Sequence, residues 1–345
     1  MRSLKFFAAL FCTLLLAACA RPQVQSQEAF VFGTRVEVLV ADPDPARART
    51  AIAAVLREFD RLHRSYHAWQ PSELTALNEA IAAGKRLTVS DELAGYIRDA
   101  AAVAERGDRL FDPGIGGLVK LWGFHADEFR AQLPDPVALA AWRKAQPGIA
   151  DLRIDGRNVG SAKREVALDF GGYLKGVALD RAAELLRRQG MGNALVNIGG
   201  NVMALGTKFG EPWRVGIQDP RRPGPLATLA LADGEAVGTS GDYQRFFELD
   251  GKRYCHLLDP RTAEPVTHTR AVTVLVTPRA GAGMLSDAAS KPIFIAGPGD
   301  WRRLAKQLGV GEVLRVDAEG RIQVTRALAG RLKFEAGTPA PEIVD

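Results

Sequence analysis

Cysteine is scarce in this chain. Cys12, Cys19 and Cys255 are the only three in 345 residues. No disulfide framework can be built from so few, and no spacing matches a zinc site. The five histidines are equally sparse. His63 and His67 stand at i,i+4 spacing without a third ligand, and read as one solvated helix face. A P-loop and a serine-hydrolase elbow are missing as well. No apolar run reaches the roughly 20 residues that a spanning helix needs. Internal repeats and low-complexity blocks are absent, as is any strong charge bias. The net charge is +5 and the pI about 9.2. Acids and bases are interspersed, which excludes a nucleic-acid patch and leaves at most a mild preference for an anionic ligand or surface.

What is present is ordinary for a soluble globular protein: 47% hydrophobic and 25% charged residues. The length suits two domains or one large one. At the N-terminus, Arg2 and Lys5 precede an apolar stretch, residues 6–18, of secretory h-region length. It ends in Leu16-Ala17-Ala18-Cys19, which resembles the lipobox of bacterial lipoproteins. That resemblance implies cleavage before Cys19 and acylation of its thiol, which anchors stably because several chains are attached. The alternative is a plain signal peptide with an accidental Cys. The expected organisation is a signal peptide over 1–18, a lipid-anchored tether over 19–28, a folded domain over 29–335 and a disordered tail over 336–345. The expected location is the periplasmic face of a bacterial membrane. Only Cys255 then remains in the body, so the fold rests on its apolar core.

Apolar periodicity predicts helices over 45–64, 91–106, 136–145, 176–188 and 301–308. Alternation predicts strands over 30–40, 194–197 and 202–205. Residues 152–154 and 166–168 are expected to pair around Asp155-Gly156. Short strands dominate 213–276, with a hairpin at Asp250-Gly251. A last hairpin is expected over 313–326, around Glu319-Gly320. Without strict βαβ alternation, the fold class is α+β.

Four constellations carry possible chemistry. In Asp169-Phe170-Gly171-Gly172-Tyr173-Leu174-Lys175-Gly176, glycines and Lys175 open a helix whose N–H groups suit a phosphate. A plain strand-to-helix turn is the other reading. Phe111 to Leu118, followed by Leu121-Trp122-Gly123-Phe124, either walls a ring-shaped ligand or packs a buried loop. Gly238-Thr239-Ser240-Gly241-Asp242-Tyr243 and Arg245 precede His256, which is either an acid-base group or a hydrogen-bonded structural residue. Asp287 and Lys291 share a face if their segment is helical, as a site or as a simple ion pair.

In this order the segments resemble the ApbE family of FAD:protein FMN transferases. The likeness runs from Phe32-Gly33-Thr34 through Ser72-Glu73-Leu74, Leu77-Asn78 and the Phe111 and Asp169 blocks. It continues through Ala194 to Asn197, Gly199-Gly200, Trp213, Val215 to Ile217, Thr239 to Tyr243 and His256 to Pro265, and reaches beyond Asp287. It implies an ApbE-like α+β fold of mixed helices and largely antiparallel sheets, with a flavin cleft between two sub-domains. It further implies that FAD binds with its pyrophosphate at a Mg2+ site. A Thr or Ser hydroxyl of an exported redox-pump subunit then takes the FMN phosphoryl group, and AMP leaves.

Carried over residue by residue, Phe32, Trp69, Leu110, Phe111, Asp112, Asp169, Lys175 and Leu258 match FAD contacts. The carbonyl of Gly172 and the carboxylate of Asp287 match metal ligands, and His256 matches the acid-base position. One departure stands out. The family's Thr or Ser ligand, four residues after the metal carboxylate, is here Lys291, and an ammonium cannot ligate a cation. Ser290 is its neighbour and the substitute ligand, and Pro292 is expected to disturb a continuing helix. Asn201 and Ala263-Glu264 are smaller departures. Three readings follow: a magnesium-dependent transferase, an FAD-binding or FAD-hydrolysing protein with weak or no transfer, and an adaptor that lost the ligand.

Overall fold

The computed structural model describes residues 23–126 and 130–345. The expected signal peptide and Cys19 lie outside the described residues. No helix among the described residues is long and apolar enough to cross a membrane.

One sheet of nine strands organises the chain, and its strands lie side by side in chain order. They are β1 (Gln25–Val31), β2 (Thr34–Val40), β3 (Ala194–Ile198), β4 (Asn201–Leu205), β5 (Ala236–Gly241), β6 (Thr269–Val276), β7 (Glu312–Asp317), β8 (Ile322–Thr325) and β9 (Glu342–Val344). Every neighbouring pair is antiparallel except β8 and β9. One face buries apolar side chains against α1 (Pro45–Tyr66), α2 (Asp91–Arg106), α3 (Leu174–Arg188), α4 (Ala282–Ala296) and α5 (Trp301–Leu308). The other packs Val237, Leu275, Leu314 and Val324 against Trp213, Ile217 and Leu229 of a three-stranded sheet. A third cluster joins Leu118, Trp122, Phe124 and Trp142 to the Phe246–Leu249 and Lys252–Cys255 hairpin through Phe247. The α+β reading with largely antiparallel sheets therefore holds.

Several boundaries differ from expectation for physical reasons. The strand predicted over 30–40 is a hairpin. Phe32 (φ 58°) and Gly33 (φ 69°) form its two-residue turn, with both residues in the left-handed region that such turns require. Glu28, read as tether, pairs with Glu37 inside β1. The partner of Leu152–Asp155 is Asn158–Ser161, because the tight turn at Asp155-Gly156 returns the chain at once. Residue 167 makes only a single bridge, to Ile115. The tail is ordered where Glu342–Val344 adds to β8. His63 and His67 are not a solvated face. His63 packs against Phe32 at 5.7 Å, and His67 Nδ1 accepts the Trp69 and Gln70 N–H groups at 3.0 Å, ending α1.

The helix α4 is the centre of the molecule, buried along most of its length. It runs through Pro292, against expectation. Proline removes the N–H that would bond the Ala288 carbonyl, a cost of about 3 kcal/mol in an isolated helix. Contacts with α3, α5, β5 and β6 hold it in place. Its first turn is capped from outside: Asp180 of α3 accepts the Gly283 and Met284 N–H groups, both at 2.8 Å. Burial pushes the Asp180 carboxyl up to about 6, against the pull of those two bonds.

Glycines set how closely α4 is approached. A Cβ at Gly176 would lie 2.6 Å from Met284 Cα and 2.8 Å from Asp287 Cβ. One at Gly238 of β5 would overlap the Ser286 carbonyl and lie 2.9 Å from Asp287 N. Gly238→Ala is therefore expected to lose at least about 3 kcal/mol, the upper end of ordinary overpacking, because only backbone can give way. Urea denaturation checks this, and a midpoint equal to wild type would refute the close approach.

Candidate active site

The site forms where the Asp169 turn meets α4. The Asp169 Oδ1 accepts the Gly171 N–H at 2.7 Å and so folds the turn back on itself. Lys175, in the first turn of α3, donates to the Gly171 carbonyl at 2.6 Å. A Cβ at Gly172 would lie 3.1 Å from Lys291 Cε and 3.4 Å from Phe111 Cε2. Glycine is thus what lets this turn settle between the ring and the lysine.

Beneath the turn lies Asp287, with 0% of its surface exposed. The Gly176 N–H donates to its Oδ2 at 3.0 Å, and the Asn201 amide to its Oδ1 at 3.1 Å. Lys291, one helical turn on, donates to the Asp287 carbonyl at 2.7 Å and ion-pairs with Oδ1. Ser290 donates to the same carbonyl at 2.8 Å, and its Oγ lies 2.7 Å from Ser240 Oγ. Burial pushes the Asp287 carboxyl up. The charges of Lys291 and Lys175, with the Lys291 and Gly176 hydrogen bonds, outweigh burial and hold it below the usual carboxylate range. Burial pushes Lys291 down to about 8, with Asp287 acting in the opposite direction.

His256 follows the Lys252–Cys255 strand. Its Nδ1 lies 3.1 Å from the Arg245 carbonyl. A carbonyl only accepts, so Nδ1 carries the proton and Nε2 is the basic nitrogen. Burial, then Arg245, with further contributions from Lys175 and Lys291, pushes the imidazole down to about 3. Asp169 moves the other way: burial raises it, against the Gly171 N–H and the charges of Arg245, Lys175 and His67. Arg245 itself donates to the Phe124 and Ala126 carbonyls at 2.9 and 3.0 Å.

The structure thus brings Phe111, Asp169, Gly172, Lys175, His256, Asp287 and Ser290 into one region. Leu110 is buried next to Phe111. Phe32 packs on Phe59 at 6.0 Å, and a Cβ on its neighbour Gly33 would lie 3.9 Å from Arg245. Trp69 packs against His125 at 5.4 Å with the ring planes tilted by 59°. Asp112 is engaged elsewhere: its Oδ1 accepts the Gly114 and Ile149 N–H groups at 2.7 and 2.8 Å, and burial pushes it up to about 6. Leu258 is buried in the cluster of Trp122 and Phe247.

Sequence reading gave Arg245 no role and saw Asn201 only as a departure. Asn201 is instead a positioning group, since its Oδ1 also accepts the Thr239 N–H at 3.3 Å. A buried Asn directly after a glycine turn was the available signal. His125 was missed, and nothing in its local sequence marks it. Two cavities, of about 500 and 200 Å3, lie beside His268 and beside the Gly199-Gly200 turn. Neither is lined by Asp287.

The residues do not fit a magnesium ion. Among the described residues no group of three or more His, Cys, Asp or Glu side chains gathers for one. Both Asp287 oxygens already accept hydrogen bonds, Ser290 faces a main-chain carbonyl, and the ammonium at position 291 only donates.

Fold and site together define an α+β protein with surplus positive charge around a glycine turn and a buried Lys–Asp pair, suited to a phosphorylated ligand. Residues 32–314 match the ApbE family. An FAD:protein FMN transferase of Rhodobacter capsulatus is 41% identical over 92% of this chain, which spans 60% of that relative's length. One from Treponema pallidum is 30% identical, over 91% of this chain and 90% of the relative. The crystal structure of the ApbE protein of Thermotoga maritima superposes with a TM-score of 0.80 at 30% identity, covering 90% of this chain and 99% of that one. The chain belongs to the ApbE family.

Proposed function

We propose that this chain is an FAD:protein FMN transferase. It binds FAD and moves FMN onto a Thr or Ser hydroxyl of an acceptor protein, releasing AMP. The observation that carries this reading is the convergence of the Gly172 turn, Lys175, His256 and the Asp287–Lys291 pair in a family member. Phosphoryl transfer needs positioning and positive charge more than covalent chemistry from the protein. The turn's glycines admit a diphosphate close to the backbone, and Lys175, Arg245 and Lys291 supply the charge.

The flavin lies between the Phe32 hairpin and the Trp69–His125 pair in this reading, within a cleft between two sub-domains. The acceptor hydroxyl attacks the FMN phosphorus, the P–O bond to AMP breaks, and His256 Nε2 takes the hydroxyl proton. The acceptor is an exported subunit of a membrane redox pump. The protein meets it at the periplasmic face, exported by residues 1–18 and anchored through Cys19. No step is routed through magnesium, because the resident groups do not fit it.

The test is direct. The purified chain, incubated with FAD and an acceptor domain, is expected to add one FMN to that domain, seen as a covalent mass increase, with one AMP released. FAD that is only bound, or only hydrolysed, would sink the reading.

A further inference from the structure

We propose that Lys291 is the resident cation of this site: its ammonium, pinned by Asp287 beside the Gly172 turn, holds the diphosphate without a divalent metal. The inference rests on the transferase reading and deepens it.

Four observations support it. The side chain of Lys291 is only 13% exposed, so its charge acts in a poorly screened place. Its two hydrogen bonds go to the carbonyl and carboxylate of Asp287. An ammonium has three N–H groups, which leaves one for a ligand oxygen. The lysine stem lies against Gly172, beside the turn that a diphosphate would approach. Finally, Lys175, Arg245 and Lys291 act together on His256, while the carboxylates in the same region are Asp169 and Asp287. Burial raises the Asp169 carboxyl against the pull of Arg245 and Lys175, and three cations and two carboxylates share the region.

Asp287 has a definite part in this arrangement. A lysine alone on α4 would be free to choose among rotamers. Bonds from Gly176, Asn201 and Lys291 fix the carboxylate, and the carboxylate fixes the ammonium. In the family's usual arrangement, a Thr or Ser at this position helps to hold a metal ion. Here the same helical turn carries its own charge. During transfer the bond to AMP lengthens and negative charge grows on the departing phosphate oxygen. A fixed ammonium counters that charge with no reorganisation.

The experiment titrates FAD affinity by fluorescence, and AMP release in the presence of an acceptor domain in parallel, with EDTA or with magnesium chloride. Wild type is expected to keep both in EDTA and to gain nothing from magnesium. Lys291→Met is expected to lose about 100-fold or more in AMP release, the scale of one preorganised electrostatic donor, and magnesium is not expected to restore it. Lys291→Thr is expected to recover FAD binding only with magnesium. A wild type that binds FAD tightly but releases AMP only with magnesium overturns the resident cation and leaves the transferase reading standing. A wild type inert in both conditions overturns both. The wild-type comparison needs no variant, so a folding defect in Lys291→Met does not blunt the test.

Discussion

Asp287→Ala is expected to cost about 3–5 kcal/mol of stability, the range for removing one partner of a buried ion pair. The buried carboxylate leaves behind an ammonium, the Gly176 N–H and the Asn201 amide. Each neutral donor left without a partner adds about 1–3 kcal/mol, and part of that is relieved if water enters the space. Transfer of FMN is expected to vanish with the fold's precision at this point. The informative comparison is the double variant Asp287→Ala with Lys291→Met. Removing both charges turns an unpaired ion into an apolar contact, so the part of the loss owed to the stranded ammonium should return, while the part owed to the Gly176 N–H and the Asn201 amide stays. Activity should not return, because neither the cation nor its anchor remains. Urea midpoints for the four proteins of this cycle, with FMN transfer followed by mass, separate the two contributions. If Asp287→Ala melts like wild type, the pair is not the buried element that its burial indicates. If the double variant transfers FMN, the site does not depend on it.

The fold was legible wherever local chemistry and tertiary packing agree. The helices α1 and α2 announced themselves through apolar spacing, and the structure shows Asp44 and Ser90 capping them by accepting backbone N–H groups. The hairpins at Asp250-Gly251 and Glu319-Gly320 followed from turn residues alone. Misreadings came where a distant partner decides. Nothing near residues 342–344 marks them as a strand, because their partner is β8, reached only after the chain turns back. Pro292 argues locally for a helix end, yet α4 is gripped on all sides and continues. The glycine-and-lysine turn of the site was readable, and so was the i,i+4 pairing of Asp287 with Lys291. The burial of that pair was not, since it depends on Gly176 and Gly238 letting α3 and β5 close on the helix. Spacing likewise offers no hint that Asp112 is occupied by two backbone N–H groups 2 and 37 positions away.

His256→Gln is expected to keep FAD affinity and lose transfer by about 10²–10⁴-fold, the usual contribution of a positioned acid-base group. The amide side chain retains an N–H for the Arg245 carbonyl but has no basic nitrogen. The pH dependence should carry a particular signature. In the free protein His256 is pushed down to about 3 from an ordinary 6.5. A depressed histidine is neutral when folded and protonates when unfolded. Its contribution to stability is therefore complete above pH 6.5 and is lost as pH falls from 6.5 toward 3. Wild type should lose stability across that window more steeply than His256→Gln, which has nothing there to titrate. Binding of FAD should change the titration itself. Apart from burial, the groups that depress His256 are Arg245, Lys175 and Lys291, and a diphosphate among them offsets their charge. The imidazole should then rise toward its ordinary range in the complex. The profile of kcat/KM reports the free protein and that of kcat reports the complex. The acid limb of kcat should accordingly lie at higher pH than that of kcat/KM. Coincident limbs would mean that the diphosphate does not sit among these three cations, and the placement of the nucleotide would have to be abandoned even if FMN were transferred.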